Sequence, residues 1–323
     1  MARRARRKRE TADFKQLPYK QPRNPYQPFN ILSDDQIEDI HQTSLKVLSE
    51  IGINFLCPEA RDILQSAGAE VKPDDTRVRF DPALIESTIK TVPARFTGHS
   101  RNAAHNLEYG DNYTAYCMVA SPPNATDLDN GRRQGNFEDY CNFIRLGQSL
   151  NIVHQIAGYP VEPTDIDPPI RHLVAEQASL KLSDKMGFGY SLNRQRIRDS
   201  IEMVRIARGV SVDQMKSEPS MFTVVNANSP LQYDVAMLGG IMEMARMNQP
   251  VIVTPFTLAG AMAPVTVAGA VVQQNAEALA GIAFLQMVNP GAPAMYGGFT
   301  SNVDMRTGSP AFGTPEYAKA VLI

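Results

Sequence analysis

The residues best placed for chemistry lie where short apolar runs break into polar loops. The clearest case is Met295-Tyr-Gly-Gly-Phe-Thr-Ser-Asn-Val-Asp-Met-Arg-Thr-Gly-Ser-Pro310, a strand-like run that passes through paired glycines and delivers Asn302, Asp304 and Arg306 into a loop. A carboxylate and a guanidinium two residues apart can meet a cation and an anion, or can pair with each other and shape the loop. Asn226, after Met221-Phe-Thr-Val-Val, puts an amide at the end of another such run, as ligand or as helix cap. Aromatic residues collect at the same ends: Tyr116, Tyr159, Phe188, Tyr190, Phe256, Tyr296 and Phe299. Side chains alternate along a strand, so roughly half of these must face helices, and core packing is the default for each. Tyr190, Phe256 and Phe299 lie just past the run ends and escape that default best. With no Trp in the chain, an aromatic box here is built from Phe and Tyr alone.

Other chemistries lack their residues. His41, His99, His105, His154 and His172 are scattered, without HxH or HExxH spacing, so no protein-bound metal is expected. His154, on a predicted strand, reads as a hydrogen-bonded core histidine. Gly187-Phe-Gly189 and Gly297-Gly298 are not phosphate loops, and in strands they serve close approach or a bend. Lys185 sits on a predicted strand, but no partner for lyase or hydrolase chemistry is visible beside it. Asp127, Asp129 and Asn130-Gly131 make a turn, with Arg132 and Arg133 on a solvated face.

The elements that must hold these residues alternate. Strands are predicted at Tyr113–Val119, Ile152–Gly158, Lys185–Tyr190, Met221–Asn226, Val251–Pro255 and Ala294–Gly298. Between them the helical period covers Asn136–Leu150, Ile170–Leu182, Arg194–Gly209, Gln232–Met247 and Val265–Val288. This βαβ rhythm predicts an α/β fold of the TIM (β/α)8 type over residues 111–323, with about six strands present and the last two expected beyond this sequence. In such a fold the loops at the carboxyl ends of the strands carry the function. Residues 31–110 are predicted as an α-rich cap: a helix capped by Ser33 and Gln36, a second from Pro58, a β fragment at Val78–Phe80 and a third helix from Asp81-Pro82. The cap is expected to cover one end of the barrel. Residues 1–30 read as a disordered arm, basic from Arg3 to Arg9 and then rich in proline.

A chain of 323 residues with 43% hydrophobic residues can bury a large core, and a net charge of -2 argues against a globally basic nucleic-acid binder. RNA binding by the arginine arm ranks low, because no aromatic residue is interleaved with its charges. Cys57, Cys117 and Cys141 have no CxxC spacing and suit a reducing cytoplasm. No apolar run is long enough to span a membrane.

Six stretches point further: Leu48-Ser-Glu-Ile-Gly-Ile-Asn-Phe55, Ala67-Gly-Ala-Glu-Val71, Asp127-Leu-Asp-Asn-Gly-Arg-Arg133, Pro264-Val-Thr-Val-Ala-Gly269, Asn275-Ala-Glu-Ala-Leu-Ala-Gly281 and Ser301-Asn-Val-Asp-Met-Arg-Thr-Gly308. In combination they resemble the trimethylamine methyltransferase (MttB-like) family, from the Leu32 helix onward. The resemblance implies a TIM barrel that moves a methyl group from a methylated amine to the Co(I) of a corrinoid carried by a separate protein. Trimethylamine enzymes of this family carry pyrrolysine at a position that would fall beyond Ile323. Many relatives lack it and resemble glycine betaine and other quaternary-amine demethylating enzymes, the group this chain is expected to join. The implied partners are the corrinoid protein and a small methylated amine; a homo-oligomer is left open. A quaternary ammonium has no proton to lose, so the protein must place the cation and admit the corrinoid rather than supply acid or base. The substrate-binding candidates are then Tyr190, Asn226, Phe256, Tyr296 and Phe299, with Asp304 balancing the cation or Arg306 meeting a substrate carboxylate. The alternative is a non-catalytic subunit that binds an amine or docks a corrinoid protein on the same scaffold.

Overall fold

The structure is a computed structural model, and it describes residues 14–323. The basic run at Arg3–Arg9 lies outside the described residues. Residues 16–24, expected within a disordered arm, are extended but pinned. Gln16 bonds to Ser149 and Asn151 at 2.9 and 2.8 Å, Gln21 exchanges two bonds with the Glu108 backbone, and Arg23 bridges to Tyr113. Proline blocks helix here, and the freed backbone groups find partners on the neighbouring loops.

The first helix, α1 (Asp34–Lys46), starts at a Ser33–Gln36 capping box, with both reciprocal bonds made. There follow β1 (Ile53–Phe55), α2 (Pro58–Ser66), β2 (Glu70–Val71), β3 (Arg77–Arg79) and α3 (Pro82–Ile89), whose Asp81 cap and Pro82 match the sequence pattern. Next come two hairpins, β4 (Phe96–Gly98) with β5 (Leu107–Tyr109), and β6 (Asn124–Asp127) with β7 (Gly131–Gln134). The alternating part runs α4 (Phe137–Ser149), α5 (Pro168–Leu182), β8 (Gly187–Phe188), α6 (Arg194–Arg208), α7 (Val212–Ser217), β9 (Met221–Val225), β10 (Gln232–Tyr233), α8 (Val235–Arg246), β11 (Val251–Val253) and β12 (Phe256–Ala259). It closes with α9 (Val267–Val288), β13 (Ala294–Tyr296), β14 (Phe299–Val303), β15 (Pro310–Ala311) and α10 (Pro315–Leu322).

The parallel strands stand side by side in sequence order. Cys117 bridges Gln155 and Gln155 bridges Met186, and the sheet continues through β8, β9, β11 and β13, with Phe188 beside Phe222, and Val253 between Val225 and Tyr296. The first two predicted strands are reduced to these single bridges. One face of the sheet packs on α6, α8 and α9 through Met221, Val225, Val251, Val253 and Ala294. The other, inner face carries Ala157, Met186, Phe188, Phe222, Val224, Ile252 and Met295. The β4–β5 hairpin plugs that inner space at the amino ends of the strands with Leu107 and Tyr109, and His99 N–H donates to Pro219 just before β9.

The rest of the N-terminal segment does not cover an end, as expected of a cap. It lies on the flank instead: α1, α2 and α3 pack on α9, and β1 pairs in parallel with β10. The physical reason is α9 itself. A 22-residue helix that is apolar nearly all round must be covered on every side, and these helices cover it.

Candidate functional site

The mouth of the inner face lies at the carboxyl ends of the parallel strands. Met186 and Phe188 face inward, and Tyr190, two residues past β8, sits between Phe188 and the cluster of Tyr140 and Tyr159; along β9 alternation carries Phe222 and Val224 on to Asn226. Rings climb this face in a ladder. Phe222 lies 5.2 Å from Phe188, Phe188 lies 4.9 Å from Tyr190, and Tyr190 leans 4.2 Å from Tyr159. Tyr190 is tied in place by its hydroxyl, which accepts the Tyr159 N–H and shares a hydrogen bond with Ser121 at 2.7 Å. Burial pushes that phenol up to about 12, so it is neutral at physiological pH and offers a ring face. Asn226 is exposed, and no bond from its side chain to another described residue is made.

Phe256 and Phe299 form a second group. They stack at 5.1 Å across the parallel β12–β14 pair, which extends β11 and β13 beyond Pro255 and Gly298. Phe312 lies 5.3 Å from Phe299, and Tyr317 of α10 joins at 6.4 Å. No ring pair links this group to the Tyr190 ladder among the described residues.

Tyr296 goes elsewhere. It follows inward-facing Met295, so it points to the helix side, and Gln274 of α9 donates to its hydroxyl at 3.3 Å. There it lines a cavity of about 550 Å³ with Ile37 and His41 of α1 and Val321 of α10. Its expected place at the mouth is therefore corrected. The Asp304 carboxylate accepts the backbone N–H groups of Arg306 and Thr307 at 2.8 and 3.1 Å, and its carbonyl receives Gly308. It shapes the loop by an Asx turn rather than by an ion pair with Arg306. Arg306 is exposed at the loop tip.

Several residues set aside above have structural partners. His154, 0% exposed, accepts the Tyr116 N–H at Nδ1 and bonds Lys20 O through Nε2, which fixes the neutral tautomer; burial lowers its pKa. Lys185 caps the end of α4 by donating to Gly147 O and Leu150 O at 2.7 and 2.9 Å, and burial brings its ammonium down to about 8. Gly297 and Gly298 leave no room for a Cβ against Thr254 and Gln274, so they serve packing. Among the described residues no group of His, Cys, Asp and Glu is placed to hold a metal, and no helix is long and apolar enough to cross a membrane.

Sequence reasoning missed a buried polar row on α9. Gln273 and Glu277 bond to the loops after β12 and β9, and Gln274 bonds to Thr300 of β14. The one available signal was their position, inside a helix that is otherwise mostly apolar.

The family model for trimethylamine methyltransferase (MTTB) matches residues 1–323. The chain belongs to the trimethylamine methyltransferase family. It is 37% identical over 290 residues to a glycine betaine methyltransferase of Desulfitobacterium hafniense (strain Y51), covering 90% of this chain and 60% of that protein. To a proline betaine:corrinoid methyltransferase of Eubacterium limosum it is 28% identical over 295 residues, covering 88% of this chain and 59% of the relative. Among solved structures, the hydroxylamine complex of MtmB superposes with a TM-score of 0.57 at 13% identity, over 91% of this chain and 58% of that one. That likeness is one of fold, an α/β fold shared with MtmB. The chain thus spans about three fifths of the length of the curated relatives it matches.

Proposed function

We propose that the protein takes a methyl group from a quaternary methylated amine, of the glycine betaine kind, and passes it to the Co(I) of a corrinoid held by a separate protein. The observation that carries this is the inner mouth itself. Phe222, Phe188 and Tyr190 form a run of rings on the β8–β9 pair, and the next strand end carries an exposed Asn226 amide whose side chain bonds no other described residue. A fixed cation needs only ring faces, worth about 0.5–2 kcal/mol each way it is desolvated. The glycine betaine and proline betaine methyltransferases that it resembles support the same chemistry here.

In this reading the ammonium rests on Phe188 and Tyr190, and the Asn226 amide donates to the betaine carboxylate. The Phe256–Phe299 pair walls the approach, and exposed Arg306 meets a carboxylate or corrinoid amide at the rim. Asp304 keeps its loop in shape. Open, half-buried apolar side chains at Val224, Ile252 and Met295 suit the approach of a flat macrocycle. The corrinoid, as methyl acceptor, supplies the nucleophilic electron pair; the C–N bond breaks and its pair stays on nitrogen as a neutral tertiary amine. The strand order further supports a barrel of the (β/α)8 type, with residues 31–110 as its flank and residues 111–323 as its barrel portion. The test is incubation of the full-length protein with reduced cobalamin and glycine betaine, proline betaine, carnitine or trimethylamine. Loss of the Co(I) absorbance with a quaternary amine is expected. No loss with any of them, in a protein shown to be folded, would overturn the proposal.

A further inference from the structure

The motif Asn275-Ala-Glu-Ala-Leu-Ala-Gly281 contributes no group to the mouth, yet it holds a carboxylate where helices seldom keep one. Glu277 is 0% exposed in the middle of α9. Its Oε2 accepts the Ser229 hydroxyl at 2.6 Å, and its Oε1 accepts the Leu231 N–H at 2.7 Å. Gln273, one turn earlier, donates to the same Oε1 at 3.0 Å and to Met262 O at 2.9 Å. The carboxylate therefore joins two loops. One follows β9 and begins at Asn226; the other follows β12. Leu231 takes a φ of +51°, a left-handed backbone that a Leu rarely adopts, and the Glu277 bond falls on its amide. The third member of the row, Gln274, accepts the Thr300 hydroxyl, which in turn bonds Thr257, so β12 and β14 are held from the same helix.

A buried carboxylate is costly unless its lone pairs are filled, and three donors fill these. An apolar residue would pack in α9 with less penalty, so stability of the helix does not account for Glu277. What the carboxylate does is tie the loop that begins at Asn226 to the loop after β12. We propose that Glu277 is a positioning residue of the mouth: it sets the loop of residues 226–231, and so the Asn226 amide, against the loop after β12. This rests on the methyl-transfer reading for its effect on substrate, while its effect on the loops stands apart from that reading.

The experiment uses the full-length protein with Glu277→Ala, Glu277→Gln and Ser229→Ala. Hydrogen–deuterium exchange is followed in peptides covering 226–233 and 257–263, and KM and kcat are measured with glycine betaine and reduced cobalamin. Glu277→Ala is expected to speed exchange in both peptides at least tenfold while α6 and β9 keep wild-type protection. KM should rise about tenfold with a smaller fall in kcat, because a loose Asn226 loses ground-state and transition-state binding alike. Glu277→Gln, which keeps one acceptor oxygen for Leu231, should recover part of both losses. Ser229→Ala removes one bond of the three and should show the same pattern, weaker, even where Glu277→Ala does not fold. Unchanged exchange at 226–233 in folded Glu277→Gln and Ser229→Ala would overturn the proposal, and so would faster exchange with KM unmoved. If wild-type protein transfers no methyl group, the proposed function fails, and the exchange pattern alone still decides whether Glu277 sets the loops.

Discussion

Replacing Tyr190 by Phe and, separately, by Leu divides what its hydroxyl does from what its ring does. The hydroxyl accepts the Tyr159 N–H and shares a bond with Ser121. Tyr190→Phe leaves that N–H without its partner, at a cost of about 1–3 kcal/mol. Ser121 is exposed, so water can reach the gap and the lower half of that range is expected. For a chain of this size about 2 °C of Tm is lost per kcal/mol, so thermal unfolding should start some 2–4 °C lower. The ring remains 4.9 Å from Phe188, and affinity for a quaternary amine should change less than about threefold. Tyr190→Leu removes the ring face as well, and a loss of about 0.5–2 kcal/mol of cation–π attraction weakens binding roughly 2- to 30-fold. Calorimetric titration of the full-length variants with glycine betaine, and with 3,3-dimethylbutyrate as its uncharged-headgroup isostere, reads both effects. The Leu variant should lose its preference for the cation while binding the isostere as the wild type does. If Phe and Leu weaken betaine binding equally, the hydroxyl and not the ring holds substrate, and the reasoning fails.

Three further outcomes follow from the packing. A Cβ at Gly240 of α8 would run into the Ser191 side chain, so Gly240→Ala should destabilise by about 1–3 kcal/mol. Its neighbour Gly239 meets Arg194 Cβ at an ordinary 3.5 Å, and Gly239→Ala should be neutral or gain up to about 1 kcal/mol by helix propensity; denaturant melts compare the pair. Glu243 accepts from Arg198 at 2.9 and 3.0 Å and lies 3.3 and 3.4 Å from Arg194 and Arg246, which also reach Glu59 at 2.6 and 2.7 Å, so Glu243→Ala should cost only about 1 kcal/mol in urea unfolding. His154 is neutral in the fold, its pKa lowered by burial, and the unfolded chain binds its proton first as pH falls. Stability should therefore decline below about pH 6.5, and exchange at residues 16–24 should rise with it, because protonated Nδ1 can no longer accept the Tyr116 N–H. A pH-independent Tm between pH 7 and 5 would contradict this assignment.

How much of this was legible in the sequence depends on how local each cause is. Helix ends were readable because caps are local: Ser33 with Gln36, Asp81 with Pro82, and Gly209 in the left-handed conformation after Arg208. The loop role of Asp304 was also within reach, since its carboxylate bonds to residues two and three places on. Tyr296 was not. Alternation says that Met295 and Tyr296 face opposite ways, but only the neighbouring strand and Gln274 decide which way is inward. The pairing of β1 with β10 joins Asn54 to Gln232, far apart in the chain, and leaves no local trace. The polar row on α9 escaped for the same reason. Glu277 answers to Ser229 and Leu231, and in sequence alone a Glu among alanines reads as a solvent face. The expected cap turned out to lie along the flank because an apolar helix such as α9 does not announce which elements will cover it.

The measurement that bears most directly on methyl transfer follows the methyl group itself. Glycine betaine carrying three deuterated methyl groups is given to the full-length protein with reduced cobalamin, and both products are weighed by mass spectrometry. The account predicts one trideuteromethyl group on cobalt for each dimethylglycine formed, with the rate reduced in Tyr190→Leu and near wild type in Tyr190→Phe. Dimethylglycine without labelled corrinoid, or labelled corrinoid formed equally fast without the protein, would contradict it.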